Sequence, residues 1–376
     1  MNILYSNFSF LNERFPALEK LGNLAEGYLY SDPNSSLTKM RMLSEKVVNY
    51  MFELDDLTPL KAPYNTPVNR IKALKQEDLL PTEISDILYQ LRTKGNLAVH
   101  EGHDCIDDAK VLLNMSYNLS GWFMQTYGDY KYESEVFILP EDTSNLPDYK
   151  ELLTENEKLA SELEEAKAAA LSPLVEQKVG ADERRNRSSK AIHNLNLSEQ
   201  ETRVFIDEQL RKVGWETDTV NLRYSKGTRL QKGKNLAIAE WPTDSTVCRW
   251  GYADYALFVG LKLIGVIEAK AANKDVSSLI DNQCRDYSKG IKKEHDEYLI
   301  NTWGDYKAPF LFAANGRRYL KQLETKSGIW FRDARDEANI PKALHGWISP
   351  QGLLDLLDRD VNKANVSAIG LLGMGN

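Results

Sequence analysis

A chain of 376 residues exceeds what one hydrophobic core usually organises and points to two or more domains. Its 42% hydrophobic and 27% charged residues exclude global disorder and a collagen-like fibre. The 47 basic against 55 acidic side chains, a net charge of -8, argue against nucleic-acid binding through bulk charge, so a nucleic-acid partner requires a local basic surface.

The N-terminus, MNILYSNFSFLNERFP, lacks both a basic leader and a sustained apolar core, and no run of about 18 apolar residues follows it, so no membrane partner is expected and the chain reads as cytoplasmic. Cys105, Cys248 and Cys284 are odd in number and scattered, which fits reduced thiols rather than a disulfide framework or a paired zinc site.

Residues 1 to 127 carry helical periodicity. In LTKMRMLSEKVVNYMFELDDL, the residues Leu37, Met40, Leu43, Val47, Tyr50, Met51 and Leu54 fall on one stripe. A further helix enters at Pro81, is expected to break at Gly95, and resumes toward CIDDAKVLLNMSYNLSGWFMQTY. Together these predict a helical bundle.

Residues 128–195 read as a linker. An irregular start gives way to a seam of Leu152, Asn156, Leu159, Leu163, Ala166 and Ala170 at alternating spacings of four and three, ended by Pro173. So short a seam suits a single linker helix, an intramolecular hairpin or dimerisation equally. The polar EQKVGADERRNRSSKAIHNLN that follows reads as a mobile connection.

A new domain, 196–350, opens with a capping box of Ser198 and Glu201. Thereafter short apolar runs, NLAIAEW, YADYALFV, LKLIGVIEA, APFLFAANG and GIWFRDAR, predict strands of a mixed sheet flanked by helices. The fold class is multidomain α plus α/β, with a C-terminal helix and connection over 351–376.

The chemistry concentrates in GYADYALFVGLKLIGVIEAK. Strict alternation along LIGVIEAK places Ile264, Val266, Glu268 and Lys270 on one face, and the short VGLK link brings Asp254 of the preceding strand beside them. Two converging carboxylates in an apolar setting stay ionised cheaply only with a cation between them, and carboxylate oxygens are what Mg²⁺ prefers. A metal and a lysine at that position suit phosphodiester hydrolysis. A solvated edge strand with Glu and Lys two residues apart is the plain structural alternative, but it leaves the surrounding apolar residues unexplained.

GYADY and IEAK resemble the D…ExK core of the PD-(D/E)XK (restriction-endonuclease-like) nuclease superfamily. DNQCRDYSKG adds Gln283 and Tyr287 in the Q-x-x-x-Y arrangement of the nuclease domain of type I restriction enzyme R subunits. The resemblance covers roughly residues 196 to 350. It implies Asp254 and Glu268 as ligands of a Mg²⁺ cofactor with the Ala269 carbonyl, Lys270 as the catalytic lysine, Gln283 and Tyr287 reaching the site from the next helix, and Glu201 as the acidic residue of the first helix. It also implies partner methylation and specificity subunits, and a role in defence against foreign DNA.

R subunits are ATP-driven motors, yet no G-x-x-x-x-G-K-[ST] phosphate cradle occurs, so no ATP site is expected within these residues. The chain then reads as the N-terminal piece of such a subunit or as a stand-alone relative. Arg223, Lys226, Arg229, Lys232 and Lys234 form a basic stretch without an acid and are candidates for contacts to double-stranded DNA, extended by Lys289, Lys292, Lys293, Arg317, Arg318 and Lys321.

The N-terminal segment resembles, more loosely, HEPN bundles joined to restriction proteins, on LRTKGNLAVHEG with Arg92 and His100. Two alternatives to a DNA endonuclease follow: a HEPN-type ribonuclease or RNA-sensing protein, and a non-catalytic DNA-binding or assembly module.

Overall fold

The structure is a computed structural model that describes residues 6–57, 64–142, 179–195, 197–249, 251–317, 319, 325 and 327–359. The expected seam at 152–170, Arg318, Lys321 and the chain beyond 359 lie outside the described residues. Chain contacts separate two units, Met1–Asn196 and Leu197–Asn376.

The first unit is helical: α1 (Pro16–Tyr28), α2 (Pro33–Leu54), α3 (Pro67–Gln76), α4 (Thr82–Glu101), α5 (Ile106–Tyr127) and α6 (Ala181–His193). Proline opens α1, α2 and α3, where its missing N–H costs nothing, and Asp32 and Thr66 cap the last two by accepting from the amides of Ser35 and Asn69. The α2 stripe is buried at Leu37, Met40, Leu43, Val47 and Met51. Helix α5 is buried on all sides from Met115 to Tyr127 apart from Asn118, as expected of a helix apolar around its whole circumference.

Two expectations are corrected here. Helix α4 runs unbroken through Gly95, because a Cβ there would lie 2.5 Å from Arg41 Cβ. The glycine lets α2 approach closely rather than ending the helix. Residues 181–193, expected to be a mobile connection, form α6 and dock on the bundle through Arg184. Its Nη1 donates to the Thr126 carbonyl (2.7 Å), its Nε pairs with Asp55 (3.1 Å), and its guanidinium stacks on Tyr127. The described residues 128–142 have no regular structure and are tied back by Tyr30 OH donating to the Pro140 carbonyl (2.9 Å).

The second unit begins with α7 (Glu199–Lys212) and is built on a seven-stranded sheet, β1 (Glu216–Thr217), β2 (Asn235–Pro242), β3 (Tyr252–Val259), β4 (Lys262–Ala269), β5 (Phe310–Ala314), β6 (Ile329–Asp333) and β7 (Lys342–Ala343), arranged in chain order. The β1·β2 and β4·β5 pairs are parallel and the others antiparallel. A π-helical turn (Ile280–Cys284) runs into α8 (Arg285–Lys289), and α9 spans Pro350–Asp358.

Each face of the sheet is covered. Ile206 and Leu210 of α7 and Leu353 of α9 pack on one face with Ile264, Ile267 and Phe312. Ile280, Cys284 and Tyr287 pack on the other with Val266, Ala256 and Leu311. The strict alternation expected along β4 fails at its start. The register slips between Leu257 and Phe258, a bulge that moves Ile264 to the face opposite Val266. From Val266 onward alternation holds. Gly265 is required where β5 runs alongside β4, since a Cβ would lie 2.9 Å from the Phe310 carbonyl oxygen.

Candidate active site

The two-residue link Gly260–Leu261 makes β3 and β4 antiparallel neighbours, with Gly260 in the left-handed region at φ 59°. That pairing buries Asp254 near the start of β3 against Glu268 and Ala269 at the end of β4. Asp254 Oδ2 accepts from the Ala269 amide (2.7 Å), and Asp254 Oδ1 is paired with Arg203 of α7. Glu268 is fully buried; its Oε2 accepts from the Tyr287 hydroxyl and its Oε1 faces the Lys270 ammonium.

Sequence reasoning missed three members of this cluster. Glu199 Oε2 lies 3.6 Å from Lys270 Nζ, and Glu199 Oε1 lies 3.1 Å from Arg203. Glu240 of β2 lies 3.6 Å from Arg203 and 3.3 Å from Arg223. Glu199 and Arg203 are four residues apart on α7, a spacing that reads as an ordinary solvated pair unless the facing strand is known. Glu240 stands in the left-handed region at φ 55°, a strained conformation for a residue with a side chain and a mark of functional sites.

Burial raises the carboxyl pKa of Asp254, with Glu268 adding to the rise and Arg203 opposing it. Burial alone would pull Lys270 down, but Glu268, Asp254 and Glu199 outweigh it and hold the ammonium above its ordinary value. Burial, then Glu268 and Asp254, push the Tyr287 phenol far above its usual range, so at neutral pH it donates to Glu268 as a neutral hydroxyl. The cluster holds four carboxylates (Asp254, Glu268, Glu199, Glu240) against three cations (Arg203, Lys270, Arg223).

The structure thus brings together Asp254, Glu268, Ala269, Lys270 and Tyr287. Gln283 is buried in the π-turn one helical turn before Tyr287 and makes no hydrogen bond to Asp254, Glu268, Lys270 or Tyr287. Glu201 closes the capping box, accepting from the Ser198 amide (2.8 Å), and the acid of that helix within ion-pair reach of Lys270 is Glu199.

In the basic stretch, Lys226, Arg229, Lys232 and Lys234 are exposed, but Lys234 pairs with Glu216 (2.8 Å). Arg223 is half-buried on Glu240 and is committed to the acid cluster instead of an open surface. Beyond that stretch, Lys289 pairs with Asp305 (3.1 Å).

In the first unit, Arg92 lies against the Tyr89 ring and His100 is exposed, eight residues along the same helix. That separation is about 12 Å of helix rise, more than two turns. Cys105, expected only as a scattered thiol, stands with His103 and Asp108 in a group whose ligand atoms all lie within 4.8 Å. The buried Asp108 is already satisfied there by His103 Nε2 (2.6 Å) and Lys94 Nζ (2.7 Å).

No helix among the described residues is long and apolar enough to cross a membrane. Residues 216–357 match the family model described as the second domain of the type I restriction enzyme EcoKI endonuclease subunit. The chain is 34% identical, over an alignment of 435 residues, to the type I restriction enzyme EcoKI endonuclease subunit of Escherichia coli (strain K12), covering 96% of this chain and 36% of that one. The chain thus spans about a third of the length of this relative. No solved structure matches it significantly. By sequence, the chain is similar over nearly its whole length to part of a type I restriction endonuclease subunit.

Proposed function

We propose that the second unit is a PD-(D/E)XK-type, Mg²⁺-dependent DNA endonuclease, the nuclease part of a type I restriction R subunit acting against foreign DNA. The observation that carries this reading is the buried acid pair Asp254 and Glu268 with Lys270 between Glu268 and Glu199, in a cluster with four carboxyl groups against three cations, an excess of one acid. A divalent cation fits that excess. Glu268 Oε1 is buried and paired with the Lys270 ammonium.

Asp254, Glu268 and the Ala269 carbonyl would hold the ion, which when bound supplies charge neutralisation at the phosphate and a more acidic water. Lys270, fixed by Glu268 and Glu199, orients the attacking water and offsets charge on the phosphate oxygens. Tyr287 and the Ala269 amide hold the two carboxylates in place, so neither must reorganise during the reaction. The exposed Lys226, Arg229 and Lys232 supply contacts to the duplex backbone. Methylation and specificity subunits as partners belong to the same proposal.

The test is nicking of supercoiled plasmid by the chain with Mg²⁺, with EDTA, and after Asp254→Asn or Lys270→Met. Metal-dependent cleavage lost in both variants is expected; cleavage that survives both changes sinks the reading, and DNA binding without cleavage by the parent chain leaves a non-catalytic DNA-binding module. RNA cleavage abolished by Arg92→Ala would favour the HEPN alternative instead.

A further inference from the structure

Where α4 hands over to α5, the first unit gathers three side chains of metal-binding type that no step above uses. His103, Cys105 and Asp108 have their ligand atoms all within 4.8 Å of one another. The backbone around them builds that convergence. Gly102 ends α4 in the left-handed region at φ 67° and turns the chain back. Asn34 of α2 pins the turn: its Nδ2 donates to the Ala98 and His103 carbonyls (2.7 and 3.0 Å), and its amide donates to Asp104 Oδ1 (3.1 Å). The Cys105 carbonyl accepts from the Ala109 amide (3.0 Å) and so opens α5.

Cys105 is the unexpected residue. It stands at the N-cap of α5, a position that favours Ser, Thr, Asp or Asn because their side chains accept from the helix amides, and it makes no such bond. Its half-buried sulfur lies near the imidazole and the carboxylate instead. A helix N-terminus also favours the thiolate, the form that binds metals.

Asp108 is buried and already holds one cation, the Lys94 ammonium (2.7 Å), together with His103 Nε2 (2.6 Å). Both of these bonds fall on Oδ2, whereas a carboxylate has about four acceptor positions over its two oxygens, so the Lys94 pair and a metal bond can coexist. The His103 side chain is 23% exposed, which leaves an ion a way in.

The donor set selects the ion. Mg²⁺ and Ca²⁺ take oxygen ligands, while imidazole, thiolate and carboxylate together are the set of Zn²⁺. Ligands around a tetrahedral zinc ion sit roughly 3.5 Å from one another, so small side-chain movements close this group on it.

We propose that His103, Cys105 and Asp108 bind a Zn²⁺ ion, with water in the fourth position, and that the ion clamps the α4–α5 turn to the first turn of α5. On binding, the Cys105 thiol releases its proton to solvent, and the imidazole carries its proton on the nitrogen that does not coordinate. One divalent cation then balances one thiolate and one carboxylate. The inference is independent of the nuclease reading, because it uses residues of the first unit alone.

The test is titration of the EDTA-treated, reduced chain with Co²⁺, a spectroscopic stand-in for Zn²⁺. The parent chain is expected to develop the near-ultraviolet sulfur-to-cobalt charge-transfer band at one ion per chain, and Zn²⁺ should bleach it. Excess Mg²⁺ should leave it in place. Co²⁺ held by the carboxylates of the second unit has no thiolate and gives no such band. Cys105→Ser should abolish the band with an unchanged circular dichroism spectrum, and His103→Gln should weaken Zn²⁺ binding about ten-fold or more, since even outer partners of metal ligands carry that much. Cys248→Ala and Cys284→Ala should keep the band. A parent chain without it, a band that survives Cys105→Ser, or one bleached by Mg²⁺ overturns the proposal, and the parent spectrum decides even where a variant misfolds.

Discussion

Both units bury an arginine on an aspartate, and the two pairs differ in what surrounds them. In the helical unit, Asp55 and Arg184 are closed off. Arg184 also donates to the Thr126 carbonyl, and Asp55 also accepts from Tyr127 OH (2.7 Å), so charge cancels and polar atoms are matched. In the second unit, Arg203 sits on Asp254, but Glu268, Glu199 and Glu240 crowd the same space, and Glu240 is held there in a strained backbone conformation. A balanced buried pair needs no further charge, whereas a crowded, unbalanced one is where a functional site is sought.

Four experiments break or sharpen that contrast. The largest effect is expected at the unbalanced site: Lys270→Met should lower metal-dependent DNA cleavage roughly 100-fold or more while leaving the circular dichroism spectrum unchanged, since the loss is of transition-state stabilisation. At the balanced site, Arg184→Met should cost about 3–5 kcal/mol in urea unfolding of the first unit, the usual result of stranding one partner of a buried ion pair. Mg²⁺ should raise the unfolding temperature of Arg203→Met more than that of the parent chain, because Asp254 would then have lost the guanidinium paired with it. An equal Mg²⁺ shift in both would mean that Arg203 and the ion do not share that carboxylate.

The smallest effect concerns Asp207, which accepts from Thr217 Oγ1 (2.8 Å), the Thr219 amide (2.6 Å) and the Tyr255 hydroxyl (3.0 Å). Burial outweighs these bonds and pushes its carboxyl up to about 6 from an ordinary value near 3.8. Between those values the folded chain binds the proton more tightly than the unfolded one, so this group's contribution to stability declines as pH rises from about 4 to 6. Asp207→Asn should flatten that part of the stability profile measured by urea unfolding. An unchanged slope would assign the pH dependence elsewhere.

Much of this was legible in the sequence. The α2 stripe, the capping box at Ser198, the strand runs and the convergence of Asp254, Glu268 and Lys270 all follow from local periodicity and one short hairpin. Arg203, Glu199 and Glu240 were not, because each meets its partner across elements that no local spacing connects. Gly95 misled for a related reason: a glycine in a helix signals a break only if nothing presses against it, and Arg41 does. The polarity of 181–193 hid a docked helix because the buried polar residues Arg184 and Ser188, rather than a long apolar stripe, anchor it.

The π-turn Ile280–Cys284 sets the aim of everything after it. Such a turn accommodates one residue more than an α-helix of the same rise, and each residue corresponds to about 100° of rotation. Deleting one residue there would leave the fold's elements intact and swing Tyr287 off Glu268. The turn therefore acts as a sighting adjustment, fixing by chain count alone whether the helix aims its hydroxyl at the acid or past it.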